Sequence, residues 1–393
     1  MSREVVILSY ARTPVGRYLG TLQDIPASKL GAIAMTEAIK RAGIDAKEIE
    51  EVVMGNVLQA GQGQNPARKA SLLAGIPEDI HAWTLNMVCA SGAKALHVAA
   101  NTIKAGSAEV MIAGGMENMS AAPYLVPKAR TGYRMGDGVL QDEMIYDGLW
   151  CSTCDIHMGI TAENVAEKYG VTRETQDKIG YESQQKAAKA IADGKLKAEI
   201  VPVLIPQKKG DPKVFDTDEH VRAETTLEGL ASLKPAFKKD GTVTAGNASG
   251  INDAGAAFVV ASKDWADKHG LKPLATIVGY ASAALDPAYM GMGPYYATKK
   301  VMDITGMTVD QMDVIESNEA FAAQAGAVAQ ELGFDMKKVN PYGGAIALGH
   351  PIGASGARIL CTLISGLKQE GGTYGLATMC VGGGQGVATI LKV

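Results

Sequence analysis

Three stretches of this chain hold residues of the types that carry out acyl and proton transfer. The first is Asn86-Met87-Val88-Cys89-Ala90-Ser91-Gly92. Beyond it, Leu96, Ala99, Ala100 and Ile103 recur at helical spacing, so a helix is expected to start just after the thiol. A thiol at a helix N-terminus meets unpaired N–H groups and the positive end of the helix dipole, and both favour the nucleophilic thiolate. The second stretch is Gly343-Gly344-Ala345-Ile346-Ala347-Leu348-Gly349-His350-Pro351-Ile352-Gly353, where glycine and proline shape an unusual backbone around an imidazole. The third is Cys380-Val381-Gly382-Gly383-Gly384-Gln385-Gly386, whose glycines can turn backbone N–H groups toward a developing oxyanion. A cysteine next to an imidazole base is an activated nucleophile. Each of these residues alone is more often a buried structural group, so the case depends on what brings them together.

The elements that must do so alternate in type. Val5 to Ser9, Val52 to Met54, Glu109 to Ala113 and Leu376 to Met379 read as buried strands. Leu30 to Ala42, closed by Gly43, reads as a helix, and Asn65-Pro66 opens another. Such alternation argues for an α/β fold. The chain also repeats itself. Ala90-Ser91-Gly92-Ala93 recurs as Ala354-Ser355-Gly356-Ala357, with Gly92 falling on Gly356, 264 residues on. At that offset Leu96, Ala99, Ala100 and Ile103 fall on Leu360, Leu363, Ile364 and Leu367, the same helical face. Two copies of one α/β unit are expected, about 1–120 and 271–393, and their packing would bring the Cys89 and His350 loops together. The segment 121–250 has no counterpart. It holds a helical stretch from Ala162 to Ala192 and a basic surface (Lys208, Lys209, Lys213, Arg222, Lys234, Lys238, Lys239) suited to a lid over an anionic ligand.

Composition narrows the classes. With 47% apolar and 20% charged residues the chain is globular, and a net charge of −4 offers no general field for nucleic acid. Five cysteines in 393 residues are not a disulfide framework, and no run approaches membrane-spanning length. The absence of a basic, then apolar, N-terminus points to a cytoplasmic protein. Cys151-x-x-Cys154-x-x-His157 looks like half a zinc site, but no second ligand pair follows at suitable spacing, so no metal is expected. The Gly382–Gly386 string is followed by an apolar strand pattern rather than a helix, which argues against dinucleotide binding.

Taken together, Asn-x-x-Cys-x-Ser-Gly at 86–92, Asn-Glu-Ala-Phe at 318–321, Gly-Gly-Ala-Ile-Ala-Leu-Gly-His-Pro at 343–351 and Cys-x-Gly-Gly-Gly-x-Gly at 380–386 resemble the thiolase family, most closely its biosynthetic branch. The resemblance implies a five-layer αβαβα sandwich of duplicated halves, 1–270 and 271–393, with a loop domain inserted at about 121–250. It implies acetyl-CoA C-acetyl transfer, the reversible condensation of two acetyl-CoA to acetoacetyl-CoA. CoA and acetyl-CoA are then substrates, and no cofactor is permanently bound. Cys89 would carry the acetyl group, His350 would take its proton, and Cys380 would deprotonate the second acetyl-CoA. His350 with a water on Asn318 would form one oxyanion site, and the N–H groups of Cys89 and Gly382 the other. CoA contacts would fall to His157, Arg222, Phe237, Ala245 and Ser249, with Met158 and Met290 lining a short acyl pocket. Ala90, where relatives often carry glycine, would trim that pocket.

A degradative 3-ketoacyl-CoA thiolase would use the same residues on longer chains. A non-catalytic CoA-binding protein of the same fold would be expected to lack Cys89, His350 or Cys380, and all three are here. Carrier-protein condensing enzymes resemble it less, since they show a second histidine where Cys380 stands. The family is commonly a homotetramer, a dimer of dimers, and the segment Glu109 to Met119 is the expected pairing surface. No nucleic-acid or membrane partner is expected. A regulatory disulfide between Cys89 and Cys380 would follow from two low-pKa thiols in one pocket.

Overall fold

The computed structural model describes residues 3–393. In chain order its main elements are β1 (Val5–Arg12), α1 (Ala27–Ala42), β2 (Glu51–Gly55), α2 (Pro66–Leu73), β3 (His81–Leu85), α3 (Ser91–Ala105), β4 (Val110–Asn118), α4 (Met158–Tyr169), α5 (Arg173–Ala192), β5 (Asn252–Ser262), β6 (Ala275–Ala284), α6 (Gly293–Thr305), β7 (Val314–Ser317), α7 (Ala322–Leu332), α8 (Ile352–Glu370), β8 (Tyr374–Val381) and β9 (Gln385–Lys392). Local signals set many of the ends. Gly43, at φ 69°, closes α1 as a left-handed cap. Asn65 accepts the Arg68 N–H and Pro66 opens α2.

The strand order is β7-β8-β9-β6-β1-β5-β4-β2-β3, and it contains the duplication. In the first half β3, β2 and β4 run parallel, and β5 and β1 continue antiparallel. The second half repeats this with β7 and β8 parallel, then β9 and β6 antiparallel. The counterpart of β3 shrinks to a single parallel bridge between Ile315 and Val339. The halves join edge to edge through two residue pairs, Val6 with Thr276 and Ile7 with Ala275.

Side-chain alternation along the strands sorts the core into layers. Val5, Ile7, Val53, Met111, Phe258, Val314, Met379 and Leu391 face a central core that holds α3 and α8. Val6, Val52, Ile112 and Val259 face outward onto α1 and α2. Ile315, Leu376 and Ile390 face outward onto α6 and α7. The result is five layers, helix–sheet–helix–sheet–helix. The matched positions Leu96, Ala99, Ala100, Ile103 and Leu360, Leu363, Ile364, Leu367 all meet in the central layer. There α8 is buried without a break from Ile352 to Leu367, as a helix packed on every side must be.

Two expectations need correcting here. The stretch from Ala162 to Ala192 is two helices, because Gly170 at φ 67° closes α4 and Thr172 caps α5 by accepting the Thr175 N–H. Val110–Asn118 is buried along its whole length between β2 and β5, so it offers no pairing surface. The exposed apolar side chains lie further on, with Met135 98% exposed and Val139 and Leu140 68% exposed. The inserted segment is tied to the core by Arg12 of β1, fully buried between Glu199 and Asp218 at 2.7 Å each. Among the described residues, no helix is long and apolar enough to cross a membrane.

Candidate active site

The central helices meet through the repeated glycines. A Cβ on Gly356 would stand 2.5 Å from the Ala93 nitrogen, and one on Gly92 would stand 2.7 Å from the Ala357 nitrogen. Only glycine lets the two backbones approach this closely, and the loops before each helix, carrying Cys89 and His350, are thereby set side by side. The repeated serines then shape these loops. Ser91 donates to the Val88 carbonyl at 2.7 Å and accepts the Met87 N–H at 2.9 Å. Val88 is thereby held at φ 45°, a left-handed conformation costly for a β-branched residue. Ser355 donates to the Pro351 carbonyl at 2.9 Å, so its oxygen can accept the Nδ1–H of His350 at 2.6 Å. This network assigns the proton to Nδ1 and leaves Nε2 bare.

His350 is fixed from its other side as well. Its N–H donates to Asn252 Oδ1 at 2.9 Å. Gly349, at φ 103°, has Asn252 where its Cβ would be, only 2.5 Å from Cγ. Four donors converge on the buried Glu117: Asn56 Nδ2 at 2.7 Å and the N–H groups of Gly353, Val57 and Leu58 at 2.8, 3.1 and 3.3 Å. Burial outweighs these donors and pushes Glu117 up to about 8. Glu319, through Ser183, Asn340 and the Ile346 N–H, ties down the start of the same loop.

A cavity of about 190 Å³ opens among these loops, lined by Cys89, His350, Cys380, Gly382, His157, Met158, Phe237, Ser249 and Met290, with neighbours from the inserted segment. Backbone N–H groups of Gly382 and of Cys89 itself reach the Cys89 thiol. His157, which lines the cavity, accepts the Gly159 N–H on Nδ1 at 3.0 Å and stacks on Phe237 at 4.8 Å, so its Nε2 carries the proton. Among the described residues, no group of three or more His, Cys, Asp or Glu is placed to hold a metal.

Four residues singled out from sequence do not line the cavity. Asn318 is buried just behind Ala320, and neither polar atom of its amide has a hydrogen-bond partner among the described residues. Arg222 and Ala245 are exposed on the inserted segment. Ala90 faces the central core rather than the acyl pocket.

The electrostatics reverse the expected thiolates. Burial pushes Cys89 up to about 11 against the pull of the Gly382 and Cys89 N–H groups. Burial, and then the nearby Cys89, raise Cys380 as well. The helix terminus is worth less than the water these sulfurs lose. His350 is pushed down to about 3 by burial, then by Arg358, and is a neutral base. The two low-pKa thiols invoked for a Cys89–Cys380 disulfide are therefore not present in the resting site. Ser355, Asn252 and Glu117 were missed from sequence. Ser355 had a signal, as the repeat partner of Ser91, and Glu117 had one as an acid inside an apolar strand run.

Comparisons with known proteins place the whole chain in one family. Residues 5–264 match the family model "Thiolase, N-terminal domain" and residues 271–393 match "Thiolase, C-terminal domain". The chain is 56% identical over 389 residues to a Pseudomonas aeruginosa protein named acetyl-CoA acetyltransferase, covering 99% of each. It is 54% identical over 391 residues to an Escherichia coli protein of the same name, again covering 99% of each. The solved structure of Syntrophomonas wolfei acetyl-CoA acetyltransferase superposes with a TM-score of 0.98 at 45% identity, covering 100% of both chains.

Proposed function

The chain belongs to the thiolase family, and from that premise we propose that it catalyses the reversible condensation of two acetyl-CoA to acetoacetyl-CoA and CoA. The observation that carries the reading is one small cavity walled by Cys89, His350 and Cys380 together with Gly382. The neutral pair explains the first step. Bare Nε2 of His350 takes the Cys89 proton as the sulfur attacks the acetyl carbonyl, so charge develops only along the reaction path. The N–H groups of Cys89 and Gly382 meet the oxyanion, each such donor being worth about 3 kcal/mol. Cys380, held as a thiol, hands its proton to the departing CoA sulfur and becomes the base for the methyl of the second acetyl-CoA. The carbanion attacks the acetyl-Cys89 thioester, and His350 returns its proton to Cys89. Orphaned polar atoms on His350 Nε2 and on the Asn318 amide support their assignment to the enolate oxyanion, Asn318 acting through a water.

His157, Phe237 and Ser249 are assigned to the pantetheine arm. Exposed Arg222 and Ala245 are assigned to the outer part of CoA, where a guanidinium suits phosphate. Met158 and Met290 wall a cavity suited to a two-carbon acyl group, and the relatives' names do not favour the degradative alternative. We read the chain as two halves, 1–270 and 271–393. The exposed apolar side chains of Met135, Val139 and Leu140 support a homo-oligomer, read as a tetramer. Five free cysteines support a reducing, cytoplasmic setting. Thiolysis of acetoacetyl-CoA by free CoA tests the reading, run beside a longer 3-ketoacyl-CoA and with Cys89→Ser. Fast cleavage of the short substrate, slow cleavage of the long one and an inactive variant are expected. Preference for the long substrate would overturn it.

A further inference from the structure

Cys151 and Cys154 take no part in the chemistry above. They sit at the tip of a short hairpin in which Trp150 pairs with His157 and Cys151 with Ile156. The turn between is held by Asp155 at φ 54° and by Trp150 Nε1–H donating to Asp155 Oδ1 at 2.9 Å. Across the turn the two sulfurs lie 2.9 Å apart, and Thr153 Oγ1 is 3.2 Å from Cys151. Both thiols are free. Cys154 is half-buried and open to a small oxidant, while Cys151 is buried behind it. Against the cost of burial, hydrogen bonds from Cys154 and Thr153 hold the Cys151 thiol below its ordinary value.

The position of the hairpin connects this pair to the site. One strand ends at His157, which caps α4 and stacks on Phe237 at the cavity wall. Cys151 also walls a second cavity of about 320 Å³ with Val88, Met158 and Gly382. Val88 precedes the nucleophile, and Gly382 donates to its thiol.

The geometry points to a reversible disulfide between Cys151 and Cys154 that adjusts how the His157 hairpin holds CoA. The CoA part rests on the function proposed above; the disulfide itself does not. Bond formation needs the sulfurs to close from 2.9 Å to about 2.05 Å. The oxidant is a low-molecular-weight disulfide. Burial and the neighbouring Cys151 raise the Cys154 thiol, so the accessible Cys154 first loses its proton to solvent and then attacks one of the oxidant's sulfurs, forming a mixed disulfide and releasing one thiolate. The Cys151 thiolate then attacks Cys154 Sγ and expels the second. Two protein thiols are oxidised, and one small disulfide is reduced to two thiols.

The test equilibrates the full-length protein across ratios of reduced to oxidised glutathione, quenches with acid, unfolds the chain, alkylates the remaining thiols and maps the cysteines by mass spectrometry, because Cys151, Cys361 and Cys380 are buried in the folded protein. The expected result is loss of alkylation at both Cys151 and Cys154, reversed by dithiothreitol, at ratios where Cys89, Cys361 and Cys380 still alkylate. Full alkylation of Cys151 and Cys154 wherever Cys89 remains a thiol would overturn the disulfide, whatever the enzyme's activity. At the oxidised poise, KM for CoA in thiolysis is expected to shift at least about twofold with kcat little changed, and Cys154→Ser is expected to abolish the shift. A disulfide that forms while KM stays constant would overturn its control of CoA binding.

Discussion

Replacing Ser355 with alanine removes one oxygen that makes two hydrogen bonds. It accepts the His350 Nδ1–H at 2.6 Å and donates to the Pro351 carbonyl at 2.9 Å. His350 is 5% exposed and Ser355 is 0% exposed, so bulk water does not reach in to replace the hydroxyl. Nδ1–H is then left unpaired at a cost of roughly 1–3 kcal/mol, or the proton shifts to Nε2. The shift is worse for chemistry, because Nε2 is the atom proposed to take the Cys89 proton. At about 1.36 kcal/mol per tenfold, either route lowers kcat for thiolysis roughly 5- to 150-fold. The side chain does not line the substrate cavity, so KM for acetoacetyl-CoA is expected to move less than about twofold. Loss of the acetoacetyl-CoA enolate absorbance gives both constants, and urea unfolding checks the fold. A kcat within twofold of the parent, in a variant that folds normally, refutes the claim that Ser355 sets the imidazole.

Other consequences are open to direct measurement. Gly356→Ala pushes a methyl against the Ala93 backbone at 2.5 Å, whereas Gly366→Ala on the same helix meets Val314 at an ordinary 3.4 Å. Urea unfolding is therefore expected to show the first variant losing about 1–3 kcal/mol or more, and the second much less. With the Cys89 thiol pushed up to about 11, iodoacetamide labelling of the free enzyme should keep rising with pH beyond the ordinary thiol value of about 8.5, and a plateau at neutral pH would contradict this. Cys380→Ser is expected to slow acetylation of Cys89, because the departing CoA sulfur loses its proton donor, yet still to give an acetyl mass on the protein at long times, while condensation falls by orders of magnitude. Burial holds His97 and His350 down to about 3 and His220 to about 4. Below about 6.5 each of these histidines binds a proton in the unfolded chain that the folded one refuses, which costs stability as pH drops, while Glu117 and Glu316, pushed up to about 8 by burial, act in the opposite sense. Chemical unfolding between pH 7 and 5 should therefore show His220→Gln losing less stability with falling pH than the parent, and an unchanged pH dependence would contradict the buried neutral imidazole.

Much of this architecture could be read before any coordinates. The recurrence of Ala90-Ser91-Gly92-Ala93 at 354–357 carried the duplication and the pairing of α3 with α8. That Gly92 and Gly356 let the two helix backbones touch emerged only from the packing. The break between α4 and α5 was signalled by Gly170 and Thr172, but the apolar spacing running across both concealed it.

Residue type and spacing by themselves determined the α/β duplication, the apolar faces and the three stretches that carry reactive groups, because periodicity and steric permissiveness are local properties of the chain, while the layer order followed from the family resemblance. They did not determine the protonation states. Cys89 at a helix N-terminus reads as a thiolate, and becomes a thiol only because folding strips water from it. Nor did they reveal that Ser355 fixes the His350 tautomer or that Glu117 gathers four donors around the same loop. Nor could they show that Cys151 and Cys154 stand sulfur to sulfur. Solvation and hydrogen-bond partnership depend on which distant groups surround an atom, and only the packed chain supplies those groups.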